Sequence, residues 1–311
     1  MSANPQEQAY LDLLTEVVQT GYEQTDRTGV GTRQRFRRTL RFDLSDGSVP
    51  IFTTKFVSWK TAFREMLWFL SGSPSIEPLL RQKVRIWTEW PHAKYVKATG
   101  DNIDLREFEQ RILNDPEFSA RWADSGRAYG VQWRSWRQYQ PAPDAGDGLW
   151  REVPGGIDQV RSVLDTIRNN PSSRRIILEG WNVSELDDMM LPPCHKTYQF
   201  EVEGDRLSLA VGLRSWDLWL GGPFNCAQAA MLLRLVAMHT GLKPGELVMD
   251  AVCAHVYLNH LDQVALQTSR TPTAFPKLDI KPRDDFFAHE IDDFVVTGYE
   301  HQGEIKGAVA V

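Results

Sequence analysis

Residues Thr197–Leu213 read TYQFEVEGDRLSLAVGL, two strand-forming runs, Thr197–Glu203 and Arg206–Leu213, separated by Gly204-Asp205. A glycine-bearing pair between two such runs suits a tight hairpin turn, so the stretch is an antiparallel pair of strands. Just downstream, nearly every residue from Cys226 to His239 is apolar, which predicts a helix buried on all sides and ended by Gly241. Another strand is expected at Leu247–Tyr257. Upstream lie a strand near Arg174–Trp181, a helix near Ile157–Ile167, and a Pro- and Gly-rich stretch, Pro141–Gly156, that reads as a surface loop. Nearer the start, Leu11, Leu14 and Val18 recur at helical spacing in Gln6–Thr20, with Gly21 expected as a left-handed cap. Arg33–Leu44 (RQRFRRTLRFDL) alternates charged and apolar residues like a strand with one solvated face, and a helix follows over Ser58–Leu70. With no internal repeat, the mixture predicts an α/β (α+β) fold with one main sheet. The polar stretch from Trp90 to Gly126 has helix signals but little core. It reads as a lobe, about 91–126, inserted in a single domain covering 1–311.

A chain of 311 residues is long enough for one large core or two small ones, and 42% hydrophobic residues supply the material. The formal net charge of −6 argues against a general nucleic-acid binder, which normally carries a basic excess. No apolar run approaches the roughly 18 residues of a membrane helix, and MSANPQEQAY lacks the basic and apolar regions of a secretory signal. These features predict a cytoplasmic protein. The 3 cysteines (Cys194, Cys226, Cys253) are an odd count without CxxC spacing, and the 7 histidines include no HExxH pair. Neither a disulfide framework nor a metal site is expected.

Candidate chemistry centres on LPPCH, where two prolines stiffen the backbone ahead of Cys194 at a strand entrance. A nucleophilic thiol needs fixed geometry and nearby positive charge, although an isolated cysteine is more often a small buried hydrophobe. His195 is adjacent, but strand neighbours point to opposite faces, so it is not automatically the base for Cys194. Arg27, Arg174, Arg175 and the pair Arg214-Ser215 are the residue types that grip a phosphate dianion, though each arginine alone reads as a surface charge. Asn225 lies at the start of the apolar helix, where it either caps the helix or reads a planar amide-like ligand edge. Glu65 sits in an otherwise apolar helical pattern beside Trp68 and Phe69, so its carboxyl is either paired or raised in pKa.

The segments DRTGVGT (26–32), EMLWFL (65–70), IWTEW (86–90), AYGVQWR (128–134), SSRRII (172–177), LPPCH (191–195), RSWDLWLGGPFN (214–225), AHVYLNH (254–260) and EIKGAVAV (304–311) together strongly resemble the thymidylate synthase family, in order along almost the whole chain. The resemblance implies a large mixed β-sheet flanked by helices, dimerising through the sheet into a homodimer. It implies that Cys194 attacks C6 of a pyrimidine deoxynucleotide, making C5 nucleophilic toward the methylene of 5,10-methylenetetrahydrofolate. Arg27, Arg214 and Ser215 would hold the 5′-phosphate, with Arg174 and Arg175 supplied across subunits. His255 and Tyr257 would contact the sugar hydroxyl, and Asn225 would read O4 and N3–H of uracil. Glu65 would organise proton transfer at O4, Tyr129 would assist loss of the C5 proton, and Asp217 would orient the folate. Trp87 and Leu191 would wall the folate site, Lys55 would meet its anionic tail, and the terminal residues through Val311 would close over it. The partners implied are small molecules, with neither membrane nor nucleic acid.

Several positions depart from the family pattern for methylating members. Leu213 replaces a glutamine, Ala251-Val252-Cys253 replaces Gly-Gly-Asp, Thr88 replaces an aspartate, and Gly72–Ser75 reads GSPS in place of GDTN. Deoxynucleotide hydroxymethylases of this superfamily also lack the glutamine and the aspartate. The expectation is therefore a deoxyuridylate hydroxymethylase giving 5-hydroxymethyl-dUMP, with dTMP-forming thymidylate synthase as the alternative. A silent nucleotide- or RNA-binding homologue is a further alternative, and ribonucleotide or cytidylate use stays open.

Overall fold

The computed structural model describes residues 4–25, 29–144 and 146–309. Two compact units divide the chain: Met1–Phe63, Ile167–Ile176 and Cys194–Val311 form one, and Arg64–Thr166 with Ile177–Pro193 form the other. The expected residues Arg27 and Val311 lie outside the described residues.

The first unit holds a large mixed β-sheet flanked by helices. The hairpin His195–Glu203 and Arg206–Leu213 forms with Tyr198↔Val211 and Phe200↔Leu209 facing one another. Arg206–Leu213 pairs in parallel with Lys243–Tyr257, which pairs antiparallel with Thr32–Asp43, and Tyr22–Gln24 adds to that strand. Leu207, Leu209, Val211 and Leu213 are all buried and, at period two, share one face. The helix Gly222–Thr240 packs there, and its residues from Cys226 to Leu233 are all buried, as all-round apolarity requires. Gly241 ends it at φ 72°, a left-handed conformation open to glycine without strain. Gly21 does not behave the same way. It ends the helix Pro5–Thr20 in an extended conformation, φ −67°, and is needed because a Cβ there would lie 2.2 Å from the Val17 carbonyl oxygen.

This topology sets the site. Antiparallel pairing brings the start of His195–Glu203 beside the end of Arg206–Leu213, with His195↔Leu213 in register, and the Arg214 N–H donates to the Cys194 carbonyl at 2.9 Å. Parallel pairing puts Leu213 beside Ala251, and the short strand Trp216–Asp217 then pairs Asp217 with His255. Cys194, Arg214, Asp217 and His255 are thereby gathered at one end of the sheet.

The second unit is mainly helical. Its helices Glu89–Thr99, Leu105–Asn114 and Pro116–Trp122 occupy the polar stretch Trp90–Gly126, which has more core than its polarity suggests. Tyr95 meets Phe108, Phe118 and Trp122 at centroid distances of 5.6, 5.3 and 5.1 Å. Asp104 and Asp115 cap the last two of these helices, each accepting a backbone N–H. The stretch read as a loop contains a small hairpin, Tyr139–Pro141 with Trp150–Glu152. The strand expected over Arg174–Trp181 shortens to Ile177–Glu179, which leaves both arginines in the exposed turn before it.

Candidate active site

Cys194 occupies the bend after Pro193 and is part-exposed, whereas Cys226 is wholly buried in its helix. Burial raises the Cys226 thiol far out of the reactive range. Desolvation also raises the Cys253 thiol, against the positive field of Arg214, and its Sγ donates to Gln34 Oε1 at 3.3 Å. Cys194 is thus the thiol best placed to react.

His195 points inward and is 4% exposed, its Nδ1 2.8 Å from the Tyr198 hydroxyl. Burial lowers its pKa to about 4, despite a hydrogen bond to the Asn225 side chain that pulls the other way. The imidazole is neutral at pH 7. Asn225 does not cap its helix: Gly221 holds the cap position, and the Asn225 amide is turned to His195. Sequence reasoning passed over His195 as a support for that amide, although its place beside the cysteine was the available signal. The unfolded chain takes up the His195 proton near pH 6.5 and the folded chain only near 4. The stability owed to this imidazole is complete above pH 6.5 and is lost on acidification toward 4, by at most about 3 kcal/mol. Urea denaturation of His195→Gln between pH 6.5 and 4.5 should show a flatter loss of stability than the parent protein. Equal slopes would contradict the assignment.

Asp217 Oδ1 accepts the Trp219 and Leu220 N–H groups at 3.2 and 3.1 Å, shaping the turn into the long helix. Arg214, Ser215 and Tyr257 are part-exposed at the same sheet end, and His255 is buried with its ring centroid 5.3 Å from that of Tyr257, the two rings nearly perpendicular. Lys55 is turned inward. It is 4% exposed, donates to the Trp219 carbonyl, and lies 3.9 Å from that indole centroid, with burial lowering its pKa to about 7. An anionic tail would have to draw it out. Its turn is fixed by Glu7, which the sequence reading missed: this buried carboxylate accepts from both backbone N–H groups and both hydroxyls of Thr53 and Thr54.

In the second unit, Glu65 is paired: its Oε1 accepts the Trp87 indole N–H at 2.6 Å. Trp87 is surrounded by Trp68, Phe69, Trp90 and Tyr129, with centroids 5.2 to 6.1 Å away. Tyr129 stacks on Phe69 at 4.6 Å and holds φ at 41°, a strained value for a side chain of this size. Gly130 permits the stack, because a Cβ there would lie 2.1 Å from the Phe69 carbonyl oxygen. Leu191 is part-exposed in the segment before Cys194. Among the described residues no group of three or more His, Cys, Asp or Glu is arranged to hold a metal, and no helix is long and apolar enough to cross a membrane.

A thymidylate synthase family model matches residues 8–311. A protein of Rhizorhabdus wittichii named thymidylate synthase is 51% identical over 313 residues, covering 100% of both chains. Those of Novosphingobium aromaticivorans and Sinorhizobium fredii with the same name are 52% and 48% identical, covering 97% and 100% of this chain and 96% and 100% of their own. These relatives overturn the hydroxymethylase expectation in favour of its alternative. Three of the altered residues that suggested it are engaged by neighbours of their own. Leu213 completes the buried apolar row of its strand, Thr88 donates to Glu109 Oε1 at 3.0 Å, and Cys253 is turned to Gln34. The chain belongs to the thymidylate synthase family, the folate-dependent one-carbon transferases.

Proposed function

We propose that this protein is a thymidylate synthase, converting dUMP and 5,10-methylenetetrahydrofolate to dTMP and dihydrofolate. The observation that carries this reading is the grouping of a part-exposed Cys194 with a buried, neutral His195 that holds the Asn225 carboxamide. The thiolate adds to C6 of the uracil ring, and the electron pair displaced toward O4 makes C5 nucleophilic. Arg214 favours the thiolate by its charge and, with Ser215, Arg27 and the partner-directed Arg174 and Arg175, neutralises the 5′-phosphate. Asn225 donates to O4 and accepts from N3–H, a pattern cytosine reverses. His255 and Tyr257 serve the sugar hydroxyl, Glu65 moves the proton at O4, and Tyr129 assists removal of the C5 proton.

The folate supplies both the one-carbon unit and the hydride that completes the methyl group. A planar, apolar ring system suits the aromatic surroundings of Trp87, and Leu191 and Asp217 are taken to serve the same ligand. Lys55 meets its anionic tail only by leaving the Trp219 carbonyl, and the terminal residues through Val311 complete the enclosure. The reading includes a cytoplasmic homodimer joined through the sheet, residues 1–311 as a single domain and the stretch at about 91–126 as an inserted lobe. The exposed Phe36, 77% accessible on the strand Thr32–Asp43, supports a sheet-mediated contact. Three cysteines outside any disulfide support a reducing compartment.

Direct competition between dUMP and dCMP tests the base assignment. The parent protein should favour dUMP, and Asn225→Asp should shift the ratio of kcat/KM toward dCMP by at least about tenfold, because a protonated carboxyl can match the cytosine edge. A parent protein that prefers dCMP would refute this reading.

A further inference from the structure

The last described stretch of chain, residues 299–309, has no regular secondary structure, yet it is fastened in two places. Its first part is tied to the turn that carries Lys55: the Gln302 N–H donates to the Thr53 carbonyl, the Phe56 N–H donates to the Gly303 carbonyl, and the Tyr299 hydroxyl accepts from the Val57 N–H. Its distal part is held differently. The Ala308 carbonyl accepts from His260 Nε2 at 2.8 Å, and the Lys306 carbonyl receives only a long contact, 3.4 Å, from the Gln263 amide. Between these two carbonyls, Gly307 lies so close to the Trp219 indole that a Cβ would sit 2.3 Å from Cζ3 and 3.1 Å from His260 Nε2.

His260 is built for this contact. It is wholly buried, its ring centroid is 4.6 Å from that of Trp219, and a carbonyl acceptor requires that Nε2 carry the proton. Trp219 is in turn a junction for groups the proposed mechanism uses. Its backbone N–H donates to Asp217, its carbonyl holds the Lys55 amino group, and its ring carries Gly307 and His260.

We propose that His260 is a positioning residue, a latch that holds Gly307 and Ala308 against Trp219 and so keeps the terminal segment, Asp217 and Lys55 in one arrangement. This rests on the reading of Asp217 and Lys55 as folate-site residues. Losing the latch frees the distal tail while leaving the nucleotide residues Cys194, Arg214 and Asn225 in place. It therefore weakens productive folate binding more than nucleotide binding.

Three variants of the full-length protein test this: His260→Phe keeps a ring but removes the donor, His260→Gln restores an N–H, and Gly307→Ala pushes the tail off Trp219 with His260 intact. Hydrogen–deuterium exchange of peptides covering 304–309 reads the latch without reference to activity. Exchange should quicken at least about fivefold in His260→Phe and in Gly307→Ala, with His260→Gln recovering much of the protection. In steady-state assays the KM for 5,10-methylenetetrahydrofolate should rise about five- to tenfold while that for dUMP changes less than about twofold. Unchanged exchange in His260→Phe overturns the latch, and if that variant fails to fold, unchanged exchange in Gly307→Ala overturns it. Faster exchange with equal effects on both KM values overturns the positioning role. A preparation that turns over no dUMP at all counts against the functional reading, while the exchange result still judges the latch.

Discussion

Cys194→Ser should remove exchange of the C5 proton of dUMP and lower kcat by about 10⁴-fold or more, the scale on which loss of a nucleophile acts. A serine hydroxyl fits the same bend but stays protonated at neutral pH, so addition at C6 fails at its first step. Affinity for dUMP should stay within about tenfold, because the phosphate and base contacts do not involve the sulfur. A covalent complex with 5-fluoro-dUMP and the folate should form in the parent protein and be absent from the variant. Cys226→Ser and Cys253→Ser should both retain proton exchange, since one thiol is sealed in a helix and the other is turned to Gln34. Loss of exchange in either would show that the nucleophile is misassigned.

The second large effect belongs to Glu65. Glu65→Gln should lower kcat by about 10²–10³-fold, in the range typical of a positioned acid–base group. Glutamine keeps an acceptor oxygen for the Trp87 indole, so the aromatic packing around Trp68, Phe69 and Tyr129 should survive. The melting temperature and the near-UV circular dichroism of the tryptophans should accordingly change little. A kcat within threefold of the parent would reduce Glu65 to a structural acceptor for Trp87.

The elements legible in the sequence were those with strong local signals. The Gly204-Asp205 turn set the hairpin, and the largely apolar run after Asn225 marked a helix that the sheet must cover. What stayed hidden depends on contacts distant in sequence. Asp217 meets His255 only through parallel pairing, and the His195–Asn225 bond joins a strand entrance to a helix start 30 residues on. The lobe's core was missed because Tyr95, Phe108, Phe118 and Trp122 are scattered among charges, and no short window contains them together. Leu213 and Thr88 misled for a related reason. Read as changed pocket residues they suggested a different product, whereas one lies in a buried row and the other bonds Glu109. Candidate site residues could be named from the sequence because ordered motifs carry them, but Lys55 shows that a motif does not fix where a flexible side chain points. Its ammonium is withdrawn onto Trp219 by a turn that Glu7 clamps from the first helix.

The product of turnover tests the central claim most directly. Purified protein incubated with dUMP and 5,10-methylenetetrahydrofolate should yield one dTMP and one dihydrofolate per turnover, followed together by nucleotide mass and by folate absorbance. Leu213 is buried, Thr88 bonds Glu109 and Cys253 bonds Gln34, so each altered residue has a partner or a packed place apart from any ligand. Accumulation of 5-hydroxymethyl-dUMP with tetrahydrofolate, and no matching dihydrofolate, would contradict the account.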